Sequence, residues 1–400
     1  MIKERTKKSD KKRALRFQHV YLENWRNFVE VDVPLQRRVF LAGPNASGKS
    51  NFLDVFRFLH DIASPIGGGF QNSVQKRQGV SSLRALAARR YSDIIIRTVI
   101  GSESESKIWE YELHFSQDNL RRAVIKKEIL KKKGKVIFER PDGDDQEDPE
   151  RLTQTFIEQV NMNREFRELV DFMGSIRYLH IVPQLVREPD RSVGRKQDPY
   201  GGDFLELIAR TPDKTQNAWL KRIQQALSIA VPQLESIELK RDARGTPHLR
   251  GKYTHWRPQG AWQMEEQFSD GTLRLLGLLW AVIEGSGPLL LEEPELSLHP
   301  EVVHYLPQIF ARVERRTGRQ FFISTHSRDL LQDKGIGLDE VLILLPTEEG
   351  SRLKVVKEMG EAKRLLSLGA VDLADFAISK TRPEKSEQLS FFGDFDNGKK

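Results

Sequence analysis

Gly43-Pro44-Asn45-Ala46-Ser47-Gly48-Lys49-Ser50 stands between an apolar run, Arg38-Val39-Phe40-Leu41-Ala42, and a segment of helical pattern from Asn51 to Leu59. Strand, glycine-bearing loop and helix in that order match the phosphate-loop pattern G-x-x-x-x-G-K-[ST]. Glycine lets the backbone wrap around an anion, so that successive N–H groups and the positive end of the helix dipole face the same charge. Lys49 is then placed to reach the β- and γ-phosphates, and the Ser50 hydroxyl to ligate Mg²⁺. The loop from Gly43 through Asn45, Ser47 and Gly48 to Asn51 is the expected phosphate cradle.

Three segments of the second half have the same kind of chemistry. Leu289-Leu290-Leu291-Glu292-Glu293-Pro294 follows a Gly-Ser-Gly-Pro turn and reads as a buried parallel strand with two carboxylates at its end, where open α/β sheets bind ligands. Glu292 is placed to hold Mg²⁺ and Glu293 to orient and deprotonate a water. Phe268-Ser269-Asp270-Gly271-Thr272 opens an apolar helix, and its serine, glycine and free N–H groups can take a second anion. Phe321-Phe322-Ile323-Ser324-Thr325 is a further strand that delivers His326.

In this order the motifs resemble those of the ABC-type ATPases of the SMC, RecF and OLD kind. The resemblance covers residues 15–60 and 263–346. It matches Gly43–Ser50 to Walker A, Ser269-Asp270-Gly271 to the signature, Leu289–Glu293 to Walker B, Leu296-Ser297-Leu298-His299 to the D-loop and His326 to the switch histidine. Leu22-Glu23-Asn24-Trp25-Arg26-Asn27-Phe28 is similar to the segment with which these heads begin. The resemblance implies an α/β fold, a P-loop ABC-type ATPase head with a mixed sheet and a compact helical and β insertion lobe. It further implies Mg²⁺-dependent ATP hydrolysis, with ATP sandwiched between Lys49 of one head and Ser269 and Gly271 of another. Lys49, Glu293 and His326 would carry the chemistry, and Ser50 and Glu292 the metal. The Mg²⁺-side carboxylate is usually Asp and is Glu292 here, a form closest to the OLD-related branch. The glutamine that links metal to domain motion has no clear position; Gln71 is the nearest choice among Gln71, Gln75 and Gln78.

The organisation expected is a disordered basic tail at 1–14, the first part of the head at 15–115, an insertion with a hairpin and helical lobe at 116–262, the second part of the head at 263–360, and a C-terminal helix with a flexible tail at 361–400. No sustained heptads lie between Ser50 and Ser269, so a long coiled-coil arm is not expected. Asp142–Glu150 reads as an exposed acidic loop, residues 151–230 as helical, and Arg121–Lys135 as a charged hairpin. Only some seventy residues follow His326, too few for the Toprim nuclease that OLD-type proteins append.

Composition sets outer bounds. The 400 residues include no cysteine, which removes disulfides, thiol catalysis and thiolate metal sites and fits a cytoplasmic location. No apolar run approaches the ~18 residues of a membrane helix. The net charge is +7, of which residues 1–13 supply +5, so a flexible basic arm rather than the body would attract nucleic acid. Gln388-Leu389-Ser390-Phe391-Phe392 resembles a peptide that binds the bacterial sliding clamp. The leading expectation is a switch ATPase that pairs with itself and controls a separately encoded effector, a nuclease by analogy, in DNA-linked antiviral defence. The alternatives are a RecF-like DNA-binding ATPase of repair or replication, and a transporter subunit, which the SMC-like start and large insert disfavour.

Overall fold

The computed structural model describes residues 14–64, 67–88, 93–159, 163–191, 198–255 and 261–382. The basic tail at 1–13 and the peptide at 388–392 lie outside them.

Strands β1 (Arg16–Trp25), β2 (Phe28–Pro34) and β3 (Arg38–Ala42) lead into the Lys49–Ala63 helix. Then come β4 (Ile94–Gly101), β5 (Trp109–Gln117), β6 (Ala123–Lys132), β7 (Lys135–Arg140) and β8 (Arg177–Leu179). The remaining strands are β9 (Leu234–Arg241), β10 (Pro247–Tyr253), β11 (Ala261–Met264), β12 (Leu289–Glu292), β13 (Phe321–Thr325), β14 (Val341–Thr347) and β15 (Gly350–Val355). They form an antiparallel sheet in the order β2-β1-β4-β5-β6-β7, a small one, β11-β10-β9, and a mixed one, β15-β14-β3-β13-β12-β8. In the mixed sheet only β15 runs antiparallel to its neighbour.

Alternation along the central strands explains the layering, because successive side chains point to opposite faces. Val39, Leu41, Leu290, Phe322 and Leu342 belong to one buried cluster, shared with the antiparallel sheet and the Lys49–Ala63 helix. Phe40, Ala42, Leu289, Leu291, Ile323 and Val341 belong to the other, shared with the Asp213–Ala230 and Asp270–Ile283 helices. The Lys49–Ala63 helix is wedged between the two sheets by aromatic contacts. Phe56 lies 4.4 Å from Phe322 and 4.8 Å from Phe17, centroid to centroid.

The 116–262 stretch is built into both large sheets: β6 and β7 extend the antiparallel one, and β8 pairs in parallel with β12. Helical patterning over 151–230 hides this three-residue strand, whose backbone is held by the edge of β12 rather than by any pattern of its own. The rest of the stretch is compact. The Phe204–Arg210 and Asp213–Ala230 helices and the β9–β11 sheet pack on the Asp270–Ile283 helix, with Trp219 and Trp280 5.2 Å apart.

Asp142–Glu150 is exposed at most of its positions, as its charge suggests, but it is not a loop throughout. Gly143–Glu147 is helical, and Asp145 is buried with both oxygens on the equally buried Arg140 guanidinium (2.9 and 2.7 Å). A buried cation needs a partner, and the capping box between Asp142 and Asp145 supplies the turn that brings it there. The basic hairpin β6–β7 is laced with carboxylates in turn: Lys127 meets Glu112 at 3.2 Å and Lys133 meets Glu105 at 2.7 Å.

Arg319 pins the second half of the core. Its guanidinium, almost fully buried, donates to Ala281 O (2.6 Å), Glu284 O (2.6 Å) and Gly287 O (2.8 Å), the free carbonyls at the end of the Asp270–Ile283 helix and in the turn toward β12. Burial lowers its pKa to about 10. A cation here also meets the negative end of the helix dipole. Arg319→Met should leave these carbonyls unpaired and cost roughly 2 to 4 kcal/mol, read as a lower urea midpoint with an unchanged slope.

Candidate functional site

Register places the site. Glu292 is opposite Ser324, and Thr325 and Ile343 are both opposite Ala42. The ends of β12, β13 and β3 are therefore level, and the segments that leave them, Glu293, His326 and Gly43–Ser50, emerge at one edge of the sheet.

The phosphate loop has the backbone an anion needs. Gly48 has φ 99° and precedes the Lys49–Ala63 helix without any side-chain cap, so the first N–H groups of that helix keep their donors free. Ala46 is also left-handed, at φ 61°. Asn45 and Ala46 are exposed at the tip, whereas Ser47 is buried with its Oγ unpaired among the described residues. Lys49 is buried and curls back, donating to Gly43 O (2.9 Å) and Pro44 O (3.1 Å), with His326 Nδ1 3.5 Å away. Burial lowers its pKa, while Glu293, Glu292 and Glu295 oppose that shift.

Two pairs of groups converge on the lysine. Ser50 Oγ donates to Glu292 Oε1, and Glu292 Oε2 accepts from the Tyr178 hydroxyl. Glu293 Oε1 lies 2.8 Å from His326 Nε2, and this contact holds the Glu293 carboxyl below its ordinary pKa. Glu293 has φ 45°, a strained conformation for a side-chain-bearing residue, kept in place because its N–H donates to Ser324 O (3.1 Å) and Ser324 Oγ (3.2 Å). A hydroxyl and a carboxylate oxygen side by side suit a hard divalent cation, so Ser50 and Glu292 fit Mg²⁺.

The signature residues stand apart from this cluster. Ser269 is exposed and caps its own helix, accepting from Thr272 N at 3.2 Å. No hydrogen bond or ion pair among the described residues joins Ser269 or Gly271 to the phosphate loop. Gly271 instead abuts the segment after Glu293: a Cβ there would sit 2.5 Å from Ser297 O, so only glycine permits this approach. Arg187 anchors the helix start through Phe268 O and Asp270, both at 2.6 Å.

Four contributors escape motif reading. Asn27 donates to Ser47 O (3.0 Å) and accepts from Asn51 Nδ2 (2.8 Å), and its amide occupies the space a Cβ on Gly48 would need. Its signal lies in the Leu22–Phe28 segment. Glu295, the third glutamate of the Glu-Glu-Pro-Glu run, accepts from Thr325 Oγ1 (2.6 Å) and His326 N (3.1 Å); burial raises its pKa. Tyr178 and His180 come from β8 and its end, with His180 Nδ1 3.4 Å from Glu292 O. No motif marks them, because only the pairing of β8 with β12 brings them to Glu292. Gln71 is engaged elsewhere, donating to Ala123 O (2.7 Å) and Thr153 O (2.8 Å).

Phosphate loop, paired strand-end carboxylates and the signature helix on one mixed sheet define an SMC-like ABC-type P-loop ATPase head. The chain belongs to the family described as "AAA domain, putative AbiEii toxin, Type IV TA system", which it matches over residues 38–333. Its fold is similar to that of an SMC head bound to the C-terminal winged-helix domain of ScpA, with 12% identity, a TM-score of 0.51, and coverage of 84% of this chain and 96% of that one. It is likewise similar to a Pyrococcus furiosus Smc head with an extended coiled coil, bound to the C-terminal domain of ScpA. There identity is 10%, the TM-score 0.52, and coverage 89% of this chain and all of that one. No curated protein matches the chain. Among the described residues no helix is long and apolar enough to cross a membrane.

Proposed function

We propose that the protein hydrolyses ATP and uses the cycle as a dimerisation switch, controlling a separately encoded effector, of which a nuclease is the leading class, in prokaryotic antiviral defence in the cytoplasm. The observation that carries the reading is the meeting of Lys49, Ser50, Glu292, Glu293 and His326, drawn from three strand ends, at one sheet edge. Lys49 binds and orients the phosphates, the free N–H groups of the helix start hold negative charge, and Glu293 takes the proton of the attacking water. His326, fixed by Glu295 through its backbone, keeps Glu293 ionised. Ser50 and Glu292 would hold Mg²⁺, which when bound would supply charge neutralisation at the transferred phosphoryl group.

The exposed loop tip and the exposed Ser269 leave an incomplete phosphate shell, which a second head would close. Ser269→Arg should keep monomer nucleotide affinity within about threefold yet abolish ATP-dependent dimers, seen by light scattering. Dimers at wild-type level in that variant would remove the head-to-head arrangement. The toxin–antitoxin description of the family supports a role exercised together with a second protein. ATP turnover measured with and without long duplex DNA, with Lys49→Ala as the blank, tests whether nucleic acid is the trigger. Turnover no higher than the blank would overturn hydrolysis itself.

A further inference from the structure

A cavity of about 650 Å³ runs beside the Lys49–Ala63 helix, beyond the phosphate loop. Arg57, His60 and Asp61 of that helix form one wall, Tyr178 and Leu179 of β8 a second, and Tyr200, Phe204 and Leu207 a third, with Glu284 and Arg319 at the inner end. Neither the loop residues Gly43–Ser50 nor the carboxylates Glu292 and Glu293 line it. Its size falls within the range of small-molecule sites, roughly 300 to 1,000 Å³.

Charge decides what it can hold. Most of its ionic groups satisfy one another: Arg77 binds Asp54 (2.8 and 2.9 Å) and Asp61 (2.8 Å), Arg26 shares Asp54 (2.8 Å), and Arg177 faces Glu284 at 3.4 Å. Asp198 and Asp203 also line the cavity and have partners. Two guanidinium groups keep unused donors. Arg57 has no hydrogen bond or ion pair among the described residues and lies 4.0 Å over the Tyr178 ring. Arg319 is almost fully buried, and its Nη2 has no acceptor among the described residues. A buried donor without an acceptor is costly, and planar guanidinium suits phosphate oxygens. Tyr178, Tyr200 and Phe204 add aromatic surface.

We propose that this cavity is a second ligand site, separate from the ATP site, for a phosphate-bearing small molecule of mononucleotide class, with Arg57 as its main phosphate contact. The site is wired to the first one. Arg57 stacks on the ring whose hydroxyl holds Glu292, so a ligand that draws Arg57 away acts on the metal carboxylate through Tyr178. Binding itself does not depend on ATP hydrolysis, so the site stands or falls independently of the proposed function, and only the wiring rests on it.

The test is calorimetric titration of the full chain carrying Lys49→Ala with AMP and with inorganic pyrophosphate. One saturable equivalent is expected for at least one probe, weakened tenfold or more by Arg57→Ala and likewise by Leu207→Trp, which fills the cavity from another wall. Thermal melting of both variants checks that the fold is kept. Absence of any equivalent sensitive to these substitutions, in variants that melt like their parent, overturns the site.

Discussion

Glu293→Gln should bind ATP as the wild type does and turn it over about 10²- to 10⁴-fold more slowly, the range a positioned general base contributes. The substitution is nearly isosteric and keeps the backbone at φ 45°, whose N–H bonds to Ser324 do not involve the side chain. It removes the proton acceptor and leaves the contact with His326 without its carboxylate charge. If closure needs intact ATP, the variant should also accumulate as a dimer, measurable by light scattering. Turnover at the wild-type rate would show that another group activates the water. The pH profile offers a sharper check. The contact with His326 lowers the Glu293 pKa, so the base stays ionised below the ordinary carboxylate range and is lost only as pH falls through its depressed value. His326→Ala removes that contact and should move the acid limb of kcat/KM upward, beyond whatever it does to the maximum rate.

Lys49→Ala should weaken ATP binding by at least about 100-fold, since two or more charge-assisted hydrogen bonds of ~1.5–3 kcal/mol each are lost from the phosphates. Its ammonium already lies over the loop, on the carbonyls of Gly43 and Pro44. Release of those carbonyls by an incoming phosphate is a short movement of one side chain. Because burial disfavours the charged amine, its removal should leave the melting temperature within a few degrees or raise it. Equilibrium binding of a fluorescent ATP analogue, beside a thermal melt, separates lost affinity from lost fold. Retained affinity in a folded variant would contradict the phosphate-loop reading.

The candidate site could be read from the sequence because its parts are local. A glycine at φ 99°, a lysine one residue later and a helix without a side-chain cap form a device that eight consecutive residues specify. Paired glutamates after an apolar strand are equally compact. Gln71 and, within the acidic 142–150 segment, Asp145 were not legible for the opposite reason. Their side chains answer to groups far along the chain or hidden from it: Gln71 to Ala123 and Thr153, Asp145 to a buried Arg140. Burial, which sequence patterning did not register here, drew one carboxylate, Asp145, inside while most of the acidic stretch stayed at the surface.

What the sequence by itself determined is the fold class and the candidate residues on which the proposed chemistry rests: the phosphate loop, the paired glutamates and the strands that end in them. The tertiary structure alone decided how those residues are held. β8 lies beside β12, so Tyr178 and His180 reach Glu292; Asn27 buttresses the loop at Gly48; and a cavity opens between Arg57 and Arg319. The reason is range. Loop geometry and strand-end carboxylates depend on neighbours a few residues away, whereas a three-residue strand, an unpaired guanidinium and a cavity exist only through contacts that packing creates.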